Sequence, residues 1–259
     1  MFINSFIAMS NEVTTPVVPT VHWNIYSWLL DKTGLGDTVA SVWIMFAGFV
    51  LCMIVPYLIG SINPAIIFSH KKYSDDIRNH GSGNAGLTNI VRTYGKKAML
   101  FTLAGDILKV ALSVLLTGFL FGFYFAKGLS WNELCFLSGF FCMVGHIKPV
   151  FYRFKGGKGV LCTFAMLAFL SPPIFLALLL LFVLLVAMTK YISLASVVCA
   201  AFLPIFMQGY MEIFAGDGMY NPIIMVICLL MAFIVVFCHR SNIKRLLNGE
   251  ENKFHFHKE

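Results

Sequence analysis

The sequence predicts an all-α polytopic membrane protein with seven transmembrane helices, its N-terminus outside and its C-terminus cytoplasmic. Three observations lead there. The chain is 59% hydrophobic and only 12% charged, about half the charge fraction of an average soluble domain. Apolar runs of spanning length recur along it. Its basic residues collect on alternate connecting loops.

The first run, 41–69, carries Gly60-Ser61-Ile62-Asn63-Pro64 toward its end. The second, 97–126, contains Asp106 and Lys109 at i, i+3. An ionised side chain at the bilayer centre costs about 2.5–3.5 kcal/mol, so these two are expected to pair. The third and fourth, 132–148 and 157–170, are short for a crossing and are expected to be tilted, broken or buried in protein. The fifth and sixth are 172–189 and 192–210; the sixth opens with Ser193 and Ser196, again i, i+3. The seventh is 221–238.

Orientation follows from charge. Lys71, Lys72, Arg78, Arg92, Lys96 and Lys97 lie between runs one and two. Lys148, Arg153, Lys155 and Lys158 lie between three and four, Lys190 between five and six, and Arg240, Lys244, Arg245, Lys253 and Lys258 after seven. These are sixteen of the nineteen Lys and Arg. The positive-inside rule puts these loops and the tail in the cytoplasm. The seven cysteines all fall in apolar runs without a Cys-x-x-Cys pair, which reads as small buried hydrophobes rather than metal ligands or disulfides. Residues 1–40 read as a non-catalytic N-terminal extension with an interfacial stretch around Trp23 to Leu30. Residues 41–245 form the membrane domain and 246–259 a cytoplasmic tail. Met1 to Ser10 has no basic n-region, so no cleavable signal is expected.

Two glycine-rich polar loops interrupt this apolar chain: Gly81-Ser82-Gly83-Asn84-Ala85-Gly86-Leu87-Thr88-Asn89 and Gly156-Gly157-Lys158-Gly159. Glycines allow backbone N–H groups to converge on an anion. After the first loop, Leu87, Ile90, Val91 and Tyr94 form one apolar stripe, which predicts a short helix with Asn84 as N-cap and Gly95 at its end. Thr88 and Arg92 share its polar face, and Arg92 is placed to fork onto phosphate. The second loop only superficially resembles a nucleotide-binding loop, because Val160 stands where Ser or Thr would hold Mg²⁺. Lys158 is expected in the first helical turn, where it opposes the helix dipole unless an anion resolves the conflict. Lys148, Arg153 and Lys155 read as positive-inside anchors. Ser61, Ser193 and Ser196 share cytoplasmic helix ends and are read as facing one pocket. In the tail, His239, Asn242 and Arg245 recur at three-residue spacing, with His239 a candidate base. His70 and Asp75 match a His-x4-Asp dyad by chance, and His255 and His257 are too few for a metal.

In order along the chain, Gly60-Ser61-Ile62, the GSGNAGLTN loop with Arg92, Gly105-Asp106 through Lys109, Gly145-His146 with Pro149-Val150-Phe151, FKGGKGV, Ser193-Leu194 and the His239-x-x-Asn242 tail resemble the bacterial acyl-phosphate:glycerol-3-phosphate acyltransferase family (PlsY) over residues 55 to 253. The forty-residue extension, Lys148, Arg153, Leu161-Cys162 and Ala195 depart from the family pattern.

The resemblance implies acyl transfer from acyl phosphate to the 1-hydroxyl of glycerol 3-phosphate in phospholipid biosynthesis, at the bacterial inner membrane, without cofactor or metal. It implies a catalytic set of His239, Asn242, Lys158 and Ser193. It implies a substrate-binding set of Ser61, Gly81, Ser82, Gly83, Asn84, Thr88, Asn89, Arg92, Gly156, Gly157, Lys158 and Ser196. It also suggests a soluble acyl phosphate synthase as partner; nothing points to nucleic acid. The rival class is a transporter of an organic phosphate, whose site would also use broken helices; polar residues crowded on one face and the lack of an inverted repeat count against it.

Overall fold

The structure is a computed structural model that describes residues 39–121, 133–214 and 221–254; the stretch around Trp23 to Leu30, His255 and His257 lie outside them. Its regular elements are helical: α1 (Val39–Ser61), α2 (Pro64–Tyr73), α3 (Leu87–Phe121), α4 (Glu133–Ile147), α5 (Val160–Leu170), α6 (Pro172–Thr189), α7 (Ile192–Phe214), α8 (Pro222–Cys238) and α9 (Arg240–Leu247), with 3-10 turns at Ile77–Asn79 and Val150–Tyr152. No strand occurs among the described residues.

Local chemistry sets the boundaries near the loops. Asn63 caps α2, accepting the Ile66 N–H at 3.1 Å, and Pro64 takes the first helical position, where its missing N–H costs nothing. The expected helix after the first glycine loop forms and ends at Gly95, whose φ of 78° and ψ of −169° break α3 before the apolar span resumes. Asn221 caps α8 through the N–H groups of Ile223 and Ile224. The chain then turns by 57° into α9.

α1 packs most extensively on α4, and α3 lies against both α4 and α5. The first contact is a close backbone approach. A Cβ on Gly60 would stand 2.1 Å from the Cys142 carbonyl oxygen, and one on Gly145 would stand 2.2 Å from that of Tyr57. Small residues at such crossings let membrane helices reach van der Waals contact. The main core joins α3 to α8 through Phe136, Met143, Met166, Leu203, Met207 and Met231, and a smaller core of Ile66, Ile77, Ala85, Ile90 and Ala98 lies under the first glycine loop. The outside is apolar as well: Leu176, Leu180, Leu184 and Met188 of α6 and Phe233 of α8 are exposed. That is the surface of a protein solvated by lipid.

Each of the seven predicted apolar runs holds a helix where described, but the first is broken at Ile62-Asn63, the fourth is helical only from Val160, and they are not equal. Among the described residues five helices are long and apolar enough to cross, or six if the bent pair α8–α9 is one span. The eleven-residue α5 is about 16 Å long, half the thickness of the hydrocarbon core. Asp106 and Lys109 form the expected pair, at 2.7 Å.

Candidate active site

The first glycine loop is wound by its own hydrogen bonds. Gly81 and Gly83 take φ of 55° and 69°, a region that side chains disfavour. The Gly83 N–H donates to the His80 carbonyl at 2.9 Å, and the Ser82 N–H to Asn89 Oδ1 at 3.0 Å. Asn89 Nδ2 donates to the carbonyls of Ile77 and His80. The buried Asn89 therefore builds the loop rather than facing a ligand. Two N–H groups expected to hold an anion are spent, which leaves those of Gly81 and Asn84 among the described hydrogen bonds. Asn84 is not the N-cap. The helix starts at Leu87, with the Gly86 carbonyl taking the Ile90 N–H at 3.0 Å. Ala85 is held out of helical geometry, its N–H reaching Gly156 O at 3.3 Å and its carbonyl receiving Asn63 Nδ2 at 3.2 Å.

The second loop is likewise internally satisfied. Gly156 N–H donates to Ile147 O at 3.2 Å and Gly157 N–H to His146 O at 3.0 Å. Glycine is required here for space: a Cβ on Gly157 would stand 1.9 Å from His146 Nε2. Lys158 precedes the helix instead of sitting in its first turn. Gly159, with φ of 85°, is the cap, and α5 begins at Val160. The left-handed glycine turns the chain after Lys158, so its ammonium leaves the α5 axis and donates to Asn242 Oδ1.

The tail completes the arrangement. His239 Nδ1 lies 2.7 Å from the Val235 carbonyl, so Nδ1 carries the hydrogen and Nε2 is left as an acceptor. Asn242 Nδ2 donates to Glu251 Oε1 at 2.7 Å, and Arg245 Nε to Glu251 Oε2 at 2.7 Å. Burial disfavours the Glu251 carboxylate, but hydrogen bonds from Asn242 and Arg245, with the Ser193 hydroxyl close by, hold it below the usual carboxylate range. Burial also pulls the Lys158 ammonium down to about 8, partly offset by Glu251 and reinforced by Arg245.

A polar cavity of about 250 Å³ opens between these segments. Ser82, Gly83 and Asn84 form one wall, Lys158 another, and Cys238, Arg240, Ser241 and Arg245 the third. Three cations therefore converge on one space with one carboxylate behind them. An apolar crevice of about 20 Å³ lies between α5, α6, α7 and α8, lined by Val160, Thr163, Leu167, Ser196, Leu203 and others; two of its residues, Val160 and Val235, are within one helical turn of Lys158 and Cys238 along the chain.

The expected site residues divide accordingly. The structure brings Ser82, Gly83, Asn84, Lys158 and Asn242 together, with His239 buried at the α8–α9 bend. Ser193 lies against Glu251. Ser61 and Ser196 donate to their own helices, to Tyr57 O and Ile192 O, both at 2.8 Å. Thr88 and Arg92 lie outside the cavity lining, with Arg92 exposed. Sequence reasoning assigned no role to Arg240, Ser241 or Glu251. The three-residue spacing of the tail marked Arg245, but nothing local marks a carboxylate nine residues past Asn242 as its partner. His70 stands near Asp76 at 3.6 Å, while Asp75 is taken by His80 at 2.6 Å.

The cavity suits an anionic ligand, with an imidazole acceptor nearby and an apolar crevice adjacent. Comparison with known proteins bears on this. A family profile described as Glycerol-3-phosphate acyltransferase matches residues 50–249. A glycerol-3-phosphate acyltransferase of Finegoldia magna is 42% identical over 200 residues, covering 77% of this chain and 93% of its own. One of Clostridioides difficile is 37% identical over 209 residues, covering 79% and 95%. The crystal structure of PlsY (YgiH), an integral membrane glycerol 3-phosphate acyltransferase in its glycerol 3-phosphate form, superposes with a TM-score of 0.69 at 30% identity, covering 80% of this chain and 96% of that one. The lysophosphatidic acid form of the same enzyme superposes with a TM-score of 0.67. The chain is thus a multi-pass membrane acyltransferase and belongs to the glycerol-3-phosphate acyltransferase family.

Proposed function

We propose that this protein transfers an acyl group from acyl phosphate to the 1-hydroxyl of glycerol 3-phosphate, releasing 1-acylglycerol 3-phosphate and inorganic phosphate. The convergence of Lys158, Arg240 and Arg245 on one cavity beside an apolar crevice carries the reading. Both substrates are phosphorylated, and one carries an acyl chain that the seam between α5 and α7 would receive. Phosphate is a competent leaving group, so the protein needs no nucleophile of its own. Positioning and charge stabilisation supply the catalysis.

In this scheme the glycerol 3-phosphate hydroxyl attacks the acyl carbon and the acyl–phosphate bond breaks. The hydroxyl proton passes to His239 Nε2 or to the departing phosphate. Lys158, with Ser82 and Asn84, holds the acyl phosphate; Arg240 and Arg245 meet the second phosphate. Asn242, oriented by Glu251, fixes the Lys158 ammonium. Ser193 acts through Glu251, Ser196 shapes the apolar crevice, Ser61 ties the end of α1 to the Val150 turn, and Arg92 and Thr88 guide the substrate outside the cavity. The glycines of both loops, with Asn89, shape the floor.

Seven membrane segments with the N-terminus outside, residence in the bacterial inner membrane, and supply of acyl phosphate by a soluble synthase complete the proposal. Charge on alternate loops supports the sidedness. The test is to mix purified protein with acyl phosphate and glycerol 3-phosphate in detergent, without metal or coenzyme A. Lysophosphatidate is the expected product. Folded protein that makes none, but carries labelled glycerol 3-phosphate into sealed vesicles, would replace this reading with the transporter.

A further inference from the structure

Three ionisable side chains are buried together below the active-site loops: Asp106 and Lys109 of α3 and His146 of α4, each under 5% exposed. The scheme above uses none of them. A single intramembrane ion pair would satisfy itself, but here the ammonium reaches further. Lys109 Nζ lies 2.7 Å from Asp106 Oδ1 and 2.8 Å from His146 Nδ1, and it donates to the carbonyls of Gly60 and Ile62 at 3.2 Å each. Cys162 Sγ adjoins Asp106 and His146 in an arrangement that could hold a metal ion, but the Lys109 ammonium already fills the cationic role there.

Each arm of the cluster ends on a segment that shapes the cavity. Gly60 and Ile62 flank Ser61, the last residue of α1, at the break before α2. From that break Asn63 Nδ2 holds the carbonyl of Ala85, next to Asn84, and Ser61 Oγ takes the Val150 N–H at 3.3 Å. The other arm is His146. Its Nδ1 stands between Lys109 Nζ at 2.8 Å and Asp106 Oδ1 at 3.3 Å, and its Nε2 is the atom that would stand 1.9 Å from a Cβ on Gly157. The His146 carbonyl also takes the Gly157 N–H at 3.0 Å. Lys158 is the next residue.

We propose that the Asp106–Lys109–His146 cluster is a positioning device: it fixes the α1–α2 break and the Gly156–Gly159 loop relative to one another, and so sets where the Lys158 ammonium stands in the anion cavity. This rests on the acyl-transfer reading of that cavity. These are positioning residues, since none lines the cavity itself. A misplacement of about 1 Å can cost ~100-fold in rate, so a rigid link of this kind is worth its buried charges.

The discriminating measurement is coupling to Lys158. His146→Asn, Lys158→Ala and the double variant are purified in detergent, with kcat, the KM of each substrate, inhibition by inorganic phosphate and the thermal transition measured for each. His146→Asn is expected to lower kcat at least tenfold and weaken phosphate inhibition by a similar factor. In the Lys158→Ala background the same change is expected to cost less than threefold. Equal losses in both backgrounds, or kcat and phosphate inhibition within twofold of the unmodified enzyme, would overturn the inference. If His146→Asn does not give folded protein, Asp106→Asn with Lys109→Met removes both buried charges together and runs the same cycle under the same criteria. A native chain that makes no product defeats the acyl-transfer reading; an active one with additive losses defeats only the positioning role.

Discussion

Lys158 shows how burial makes a residue both useful and vulnerable. Its ammonium is partly desolvated, which pulls it from its ordinary 10.5 to about 8. The unfolded chain stays protonated to about 10.5, so between pH 8 and 10.5 the folded state gains stability by holding a neutral amine. Anion binding changes the opposite way, because the charge that attracts phosphate is lost above pH 8. Phosphate esters are already fully ionised there, their second pKa being about 6, and inorganic phosphate is largely dianionic. Inhibition by inorganic phosphate is therefore expected to weaken above pH 8, approaching tenfold per unit, and Lys158→Arg is expected to abolish that limb up to pH 10. A pH-independent inhibition constant in the native enzyme would show that Lys158 does not hold the anion. At His239, the Nδ1 contact to Val235 leaves Nε2 as the proton acceptor. We expect His239→Gln to lower kcat by about 100-fold, within the usual range for loss of a general base, with KM values within threefold. A rate unchanged by that substitution would assign the proton to the substrate phosphate.

At the level of elements, the glycines matter more for closeness than for exposed N–H groups. The sequence reads both loops as anion-binding, and the structure puts Ser82, Gly83 and Asn84 of the first and Lys158 of the second at the cavity. Yet Ser82, Gly83, Gly156 and Gly157 direct their N–H groups inward. Lys158, Arg240 and Arg245 bring positive side-chain charge to the same cavity. The α1–α4 crossing follows the same logic. Gly60→Ala places a methyl 2.1 Å from the Cys142 carbonyl oxygen, whereas one on Gly209 in α7 meets nothing within 4 Å. Alanine is the better helix former by about 1 kcal/mol. Gly60→Ala is thus expected to lower the thermal transition by several degrees or prevent folding, while Gly209→Ala leaves it unchanged or raises it. Equal transitions would mean that α1 and α4 separate without penalty. The short α5 was also legible, as a run too short to cross, but what lies around it was not.

For the whole molecule, the asymmetry of charge and the clustering of polar residues belong together. The broken α1–α2 junction, both glycine loops and α9 meet at one end of an otherwise apolar bundle. Sidedness is the prediction at this scale: a thiol-reactive or protease-sensitive tag after residue 254 should react only when the cytoplasmic face is opened. Reaction in intact cells would invert the proposed topology and move the site to the outer face.

The sequence by itself determined that this is a helical membrane protein, where its apolar runs fall, and which two loops and which tail hold the candidate site residues. Those properties are local: hydropathy, charge placement, helix breakers and residue order are written along one dimension. The tertiary structure decided which polar groups remain available. It spent Asn89 on the loop, freed Lys158 from the start of α5, moved Arg240 and Arg245 into the cavity, set Glu251 behind Asn242, and joined His146 to the Asp106–Lys109 pair. These assignments depend on which hydrogen bonds are satisfied between segments distant in sequence. A buried polar group must find its partner wherever packing brings one, and that choice is made in three dimensions.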